Sequence, residues 1–319
     1  NNLVLRGIAK EFRNPRVIVS SIEHESIRDT ARDLEKGGVE VVYLSVDSEG
    51  FIDLKELKEA LNERTILVSI MYANNEIGTI EPITEIAKII RNFRGIHDSS
   101  FPLFHTDAVQ ALQFLDCNVQ NLGVDLMTIS SHKIYGPKGA GALYIKNNFA
   151  PNSQSHPPTG GLNPIITGGG QEYGLRSGTE NVPAIVGFGK AVELMEKNKA
   201  REEKKIKNLR DYFWTKLKIA RPEIELNGPP VSSPERLPNN LNIYFPNRDS
   251  QELLIKLDLN NIAVSAGSAC SARSIKPSHV IAALNLGENR SRSSLRVSLG
   301  RPTTKKELDI VLKRIINLI

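Results

Sequence analysis

The stretch Val124-Asp125-Leu126-Met127-Thr128-Ile129, followed by Ser130-Ser131-His132-Lys133-Ile134-Tyr135-Gly136-Pro137-Lys138-Gly139, decides how the chain is read. A short apolar run bounded by Ser, Gly and Pro predicts a buried strand that ends in a turn. Lys133 then stands just beyond a strand's carboxyl end, where open α/β sheets place their ligand sites. A lysine there, its pKa lowered by burial and neighbours, is a candidate to attack a carbonyl and form a Schiff base. Ser130, Ser131 and His132 would then be donors for a cofactor phosphate. A loop lysine beside a turn-forming Gly-Pro pair explains the stretch equally well, so the rest of the chain must decide.

Working outward, apolar runs alternate with amphipathic ones. Strands are expected at Val17-Ile18-Val19, Val39 to Val46, Thr65 to Tyr72, Phe101 to Thr106, Val124 to Ser130 and Ala140 to Ile145. Helical spacing fills Ser26 to Lys36, Asp53 to Asn62, Ile83 to Phe93 and Ala108 to Leu115. This alternation predicts βαβ units and an α/β fold, a mostly parallel central sheet flanked by helices on both faces. A Gly- and Pro-rich region, Asn147 to Gly178, interrupts the order. A long helix from about Pro183 to Ala220 then leads out of the first domain. Beyond it, strands near Asn240 to Phe245 and Leu295 to Leu299, with helices near Gln251 to Leu259, Pro277 to Asn285 and Lys305 to Ile319, describe a smaller C-terminal α+β domain. The expected division is a large domain over 1–197 and a small one over 198–319.

Composition bounds the function. At 319 residues, 40% hydrophobic and 24% charged, the chain has the profile of a globular protein. No apolar run approaches the length of a membrane span, and the start lacks a signal-peptide pattern, so a cytoplasmic protein without membrane attachment is expected. The net charge of +5 is modest, and the basic run Lys197 to Arg210 includes Glu202 and Glu203, as a solvated helix face does. Direct nucleic-acid binding is not expected. Two distant cysteines, Cys117 and Cys270, offer neither a disulfide framework nor metal-ligand spacing, so no metal is expected and any thiol chemistry must use one cysteine. Cys117, amid Phe114-Leu115 and Val119, reads as a small buried hydrophobe. Cys270 lies in Ser265-Ala266-Gly267-Ser268-Ala269-Cys270-Ser271-Ala272-Arg273, a small-residue loop suited to carrying a thiol, with Arg273 near enough in sequence to favour the thiolate.

Asp107 ends the run Phe101 to Thr106 and puts a carboxylate at a second strand end, with Gln110 one helical turn later. A partly buried carboxylate keeps a pyridine nitrogen protonated. It is also a favoured N-cap, and Asp107 alone fits the cap better.

Eight motifs appear in an order that resembles the NifS/IscS-type cysteine desulfurases: Ser20-Ser21-Ile22-Glu23-His24, Asn74-Asn75-Glu76-Ile77-Gly78, His105-Thr106-Asp107-Ala108-Val109-Gln110, Ser131 to Gly139, Gly168-Gly169-Gly170-Gln171-Glu172, Arg176-Ser177-Gly178-Thr179-Glu180, Gly267-Ser268-Ala269-Cys270 and Ser293-Ser294-Leu295-Arg296. The resemblance covers essentially the whole chain. It implies the fold type I architecture of pyridoxal 5'-phosphate (PLP)-dependent transferases and conversion of L-cysteine to L-alanine, with the sulfur passing to an enzyme persulfide. Lys133 matches the Schiff-base lysine that also moves the substrate α-proton, and Cys270 the sulfur-accepting nucleophile. Asp107 matches the partner of the pyridine nitrogen, Gln110 the donor to the phenolic oxygen, and His24 the imidazole stacked on the ring. Ser130 and His132 match phosphate ligands, and Thr179 one supplied by a second subunit, which implies a homodimer. Asn75 and Arg296 match the groups that hold the substrate carboxylate. The family also carries a phosphate-binding Gly-Ala-Thr-type turn ahead of the segment matching Asn1 to Gly7, so a preceding segment is implied. The expected partners are L-cysteine and a sulfur acceptor such as an iron–sulfur scaffold protein. Selenocysteine lyase is built from similar motifs, a generic aminotransferase would need no Cys270, and a non-catalytic sulfur-trafficking partner would keep the same fold.

Overall fold

The computed structural model describes residues 1–146, 162–267 and 277–318. They fall into two compact units, one comprising 1–45, 52–72 and 81–197, the other 46–51, 73–80 and 198–319. Two short segments from early in the chain thus belong to the second unit, and Asn75 is built into a different unit from Lys133.

In the first unit, helix α1 (Asn2–Ala9) precedes strand β1 (Arg16–Ser20), helix α2 (Glu25–Lys36), strand β2 (Glu40–Leu44), helix α3 (Leu54–Ala60), strand β3 (Thr65–Ser69), helix α4 (Ile83–His97), strand β4 (Leu103–Asp107), helix α5 (Val119–Leu122), strand β5 (Leu126–Ser130) and strand β6 (Gly141–Ile145). The six strands form one sheet in the order β2-β1-β3-β4-β5-β6. β1 to β5 pair in parallel, and β6 closes the edge antiparallel to β5. Every residue of β3 and β4 is buried, as expected of strands covered on both faces. One core packs Val17, Val19, Leu67, Leu103 and Leu126 of the sheet against Val4, Leu5 and Ile8 of α1 and Ile27 and Ala31 of α2. Parallel pairing puts the carboxyl ends of β1 to β5 on one edge.

The expected helix over Ala108 to Leu115 is instead a run of turns, with Ala111 and Leu112 both bonded to the Ala108 carbonyl. Asp107 accepts from the Val109 N–H at 2.9 Å and so caps the first of them.

Helix α6 (Val182–Ala220) begins in the first unit and ends in the second. After it come strand β7 (Glu225–Asn227), strand β8 (Asn240–Tyr244), helix α7 (Ser250–Asp258), helix α8 (His279–Ala283), helix α9 (Glu288–Arg292), strand β9 (Ser294–Ser298) and helix α10 (Lys305–Leu318). The three strands make an antiparallel sheet in the order β7-β8-β9. Among the described residues, no helix is long and apolar enough to cross a membrane.

Candidate active site

Three loops of the first unit leave the carboxyl edge of the parallel sheet with polar side chains. Past β1, His24 is the N-cap of α2: its Nδ1 accepts from the Ser26 N–H at 3.1 Å. A backbone N–H can only donate, so Nδ1 offers its lone pair and the ring proton sits on Nε2, 3.5 Å from a Glu25 carboxylate oxygen. At the end of β4, as its last residue, stands Asp107, only 5% exposed. β4 pairs with β5 through Asp107 and Thr128, so the turn after β5 lies beside it. That turn is a short 3-10 helix, Ser131–Ile134, which carries His132 and Lys133 and ends at Tyr135 in the left-handed conformation, φ 66°.

A chain of hydrogen bonds joins two of these loops. His24 Nδ1 and the Ser26 hydroxyl are 2.9 Å apart, and the Asn1 amide nitrogen donates to Ser26 Oγ and to Asp107 Oδ2, each at 2.7 Å. The buried carboxylate therefore accepts from the Asn1 side chain and from the Val109 N–H, and His24 belongs to the same network. Gln110 is half-buried in the turns that follow.

Ser130 Oγ and His132 Nδ1 are 2.8 Å apart. Partial desolvation, with the charges of Lys133 and Lys138, holds His132 below its ordinary pKa. Lys133 is exposed. The turn is tight around Gly136, where a Cβ would stand 2.2 Å from Ser131 Oγ and 3.0 Å from Ala191 Cβ. Thr179 is exposed shortly before α6. Cys117 is half-buried against the cluster of Leu112, Ile134, Phe188, Ala191 and Met195.

Two further buried groups, which no local sequence pattern marks, stand behind this edge. His105, two residues before Asp107, is fully buried between Ser69 Oγ at 2.8 Å and Thr128 Oγ1 at 2.9 Å, so it ties β3, β4 and β5 together. Burial holds its pKa well below the ordinary value, and it is neutral. Glu23, next to His24, accepts from the Met71 N–H at 2.6 Å, and burial raises its pKa well above the usual carboxylate range, with Asp107 and Glu81 adding to the effect.

In the second unit, Arg296 stands mid-way along β9 and donates from Nη1 to the Asn75 carbonyl at 3.1 Å. Cys270 and Arg273 lie outside the described residues. The described residues that flank them attach to this same region. Ser265 exchanges backbone hydrogen bonds with Arg296, and Ser278 Oγ donates to Glu76 Oε2 at 2.6 Å.

The donor set of the first unit fits PLP. A hydroxyl and an imidazole, Ser130 and His132, suit an anionic phosphate; the buried acceptor Asp107 suits a protonated ring nitrogen; and Lys133 is an amine directly after His132. Comparison with known proteins agrees. The family model for aminotransferase class-V matches residues 1–311. The chain belongs to the class-V aminotransferase family. It is 44% identical over 315 residues to the protein named cysteine desulfurase IscS from Clostridium botulinum, covering 98% of this chain and 75% of that one. A solved structure described as a NifS-like protein superposes with a TM-score of 0.85 at 34% identity, covering 99% of this chain and 79% of that one. Another, SspA in complex with cysteine, does so with a TM-score of 0.70 at 33% identity, covering 94% and 78%. This class-V aminotransferase thus has the fold type I architecture, and the family is PLP-dependent.

Proposed function

We propose that the chain is a PLP-dependent cysteine desulfurase that converts L-cysteine to L-alanine and passes the sulfur through a persulfide on Cys270 to an acceptor. One observation carries this reading. In a chain 44% identical to a named cysteine desulfurase, His24, Asp107 and the Ser130–Lys133 turn leave one edge of one sheet, with His24 and Asp107 in a single hydrogen-bond network.

In this reading, Ser130 and His132 donate to the cofactor phosphate, Asp107 holds a proton at the pyridine nitrogen, Gln110 donates to the phenolic oxygen and His24 packs on the ring. Bound PLP supplies an aldehyde for amine chemistry and a sink for electrons from the substrate's Cα. Lys133 Nζ takes the α-proton and returns a proton to carbon. Arg296 and the Asn75 side chain hold the substrate carboxylate, for which a guanidinium fork is well shaped. Cys270 Sγ, as thiolate, attacks the substrate sulfur. The S–S bond forms as the C–S bond breaks, and the bonding pair stays with the β-carbon, which gains a proton to become the methyl group of alanine.

We further read the enzyme as a homodimer to which Thr179 contributes from a second copy. Support comes from the large apolar side chains exposed near it in sequence, Tyr173 at 78%, Val182 at 58% and Val186 at 65%. The acceptor is read as an iron–sulfur scaffold protein or a tRNA-thiolation partner, and the compartment as the cytoplasm, where a lone reactive thiol stays reduced. The test is to load the protein with PLP, look for the yellow lysine-bound chromophore, and assay alanine and sulfide from L-cysteine. Cys270→Ser is expected to keep the colour and lose sulfide release; desulfuration retained in that variant overturns the assignment.

A further inference from the structure

Three strands of the second unit place a row of polar side chains on one sheet face. In register, Asn227 of β7 opposes Asn242 of β8, and Asn242 opposes Arg296 of β9. Opposed residues point to the same face. Asn227 and Asn242 are almost completely buried, so their amides must be matched by partners within the protein.

The orientation of each amide is fixed from one end. Arg290 can only donate, and its Nε gives a hydrogen bond to Asn227 Oδ1 at 2.5 Å. The Asn227 amide nitrogen must then face the other way, and it donates to Asn242 Oδ1 at 2.7 Å and to Ser294 Oγ at 2.9 Å. The Asn242 nitrogen in turn donates to the Glu76 carbonyl at 3.1 Å. Two residues earlier on the same strand face, buried Asn240 repeats the device. Its Oδ1 accepts from Arg236 Nη2 at 3.3 Å, and its nitrogen donates to the carbonyls of Glu76 at 3.0 Å and Asn75 at 3.5 Å.

All three inputs converge on two adjacent carbonyls: Asn242 and Asn240 on Glu76, Arg296 and Asn240 on Asn75. The segment is packed tightly there, since a Cβ on Gly78, at φ 79°, would come within 2.9 Å of Asn240 Oδ1. Glu76 itself extends the row by accepting from Ser278.

We propose that Asn227, Asn240 and Asn242 are positioning residues for substrate recognition. They fix the two successive peptides that follow Asn75, Asn240 and Asn242 at the Glu76 carbonyl and Asn240 also at the Asn75 carbonyl, and so set where the Asn75 amide and the Arg296 guanidinium meet a substrate carboxylate. The guanidinium is planar, so the carbonyl that occupies Nη1 also fixes the directions of its other N–H groups. The proposal rests on the desulfurase reading, in which Asn75 and Arg296 take that carboxylate. It is separable from that reading because it concerns only ligands that possess one.

The test compares L-alanine with ethylamine, the same amine without its carboxylate, binding to the PLP-loaded full chain as followed by the visible spectrum. Asn242→Ala is expected to weaken L-alanine on the order of 10-fold, to change ethylamine by less than about 2-fold, and to raise the KM for L-cysteine more than it lowers kcat. Asn227→Asp keeps the size and the Arg290 contact but turns an oxygen toward Asn242 Oδ1; it is expected to act in the same direction and guards against misfolding of the alanine variant. Equal weakening of both ligands, or a lowered melting temperature with unchanged affinities, overturns the row's role. If the unmodified protein does not prefer L-alanine to ethylamine, the desulfurase reading falls and the row's role falls with it.

Discussion

The two sheets of this protein carry the groups assigned to chemistry and to substrate recognition in different places. In the parallel sheet, β3 and β4 are buried along their whole length, and the groups assigned to chemistry stand after the strand ends: His24 past β1, Asp107 closing β4, His132 and Lys133 past β5. In the antiparallel sheet such groups lie within the strands, as the row of buried Asn227 and Asn242 and half-buried Arg296. The difference sets what a substitution does. A side chain in a loop after a strand can be removed with little loss of packing, whereas one inside a strand leaves partners without hydrogen bonds.

The largest expected effect lies at the first edge. Lys133→Ala should lower kcat/KM on the order of 10⁴-fold or more while the melting temperature holds, because Lys133 is exposed; a steady-state assay beside a thermal melt checks both. Gly136→Ala tests whether the turn matters as much as the amine. The added methyl would press on Ser131 Oγ and Ala191, so a stability loss of about 1–3 kcal/mol and a lower yield of chromophore are expected from denaturant titration and absorbance. In the second sheet, Asn227→Ala should cost about 1–3 kcal/mol, since the Arg290 Nε–H and Asn242 Oδ1 lose a partner; a loss as small as that of a surface substitution would erase the contrast between the sheets. At Glu23 the expected effect is on the pH dependence of stability. Its folded pKa is raised, so its contribution to stability is complete below the unfolded value near 4.5 and is lost as pH rises toward the folded value. Glu23→Gln cannot ionise, so its unfolding free energy should fall less than that of the parent over the pH range above 4.5.

The same contrast explains what the sequence disclosed. Apolar runs closed by Ser, Asp or Gly marked where the parallel strands stop, and so brought out Lys133, Asp107 and Ser130. Helix bounds were legible from spacing: α2 spans Glu25–Lys36 where helical spacing predicts Ser26 to Lys36, whereas the capping role of His24 was not. The segment Ala108 to Leu115 has helical spacing yet folds as turns, because spacing describes which face is apolar and not how the backbone bonds. Asn240-Leu241-Asn242-Ile243-Tyr244 alternates polar and apolar residues, the pattern of a strand with one wet face. Both faces are in fact buried, and no local pattern tells a solvated asparagine from one bonded to a distant carbonyl. Glu23 and His105 were missed likewise, since their burial comes from elements far along the chain. Asn75 and Arg296, 221 positions apart, were paired only by family resemblance, and Arg296 does bond the Asn75 carbonyl.

The inclusion of residues 46–51 and 73–80 in the second unit sets an order for biosynthesis. A ribosome releases these segments long before β7, β8 and β9 exist to receive them. Until then the carbonyls of Asn75 and Glu76 lack the partners that they have in the folded chain. The second unit is thus completed late, by contacts of long sequence separation, which are slow to form because the intervening chain must first be closed into a loop. A fragment starting at 198 would be made without the two strips of chain that belong in that unit, and would leave the asparagines of β8 facing solvent where their carbonyl partners should be.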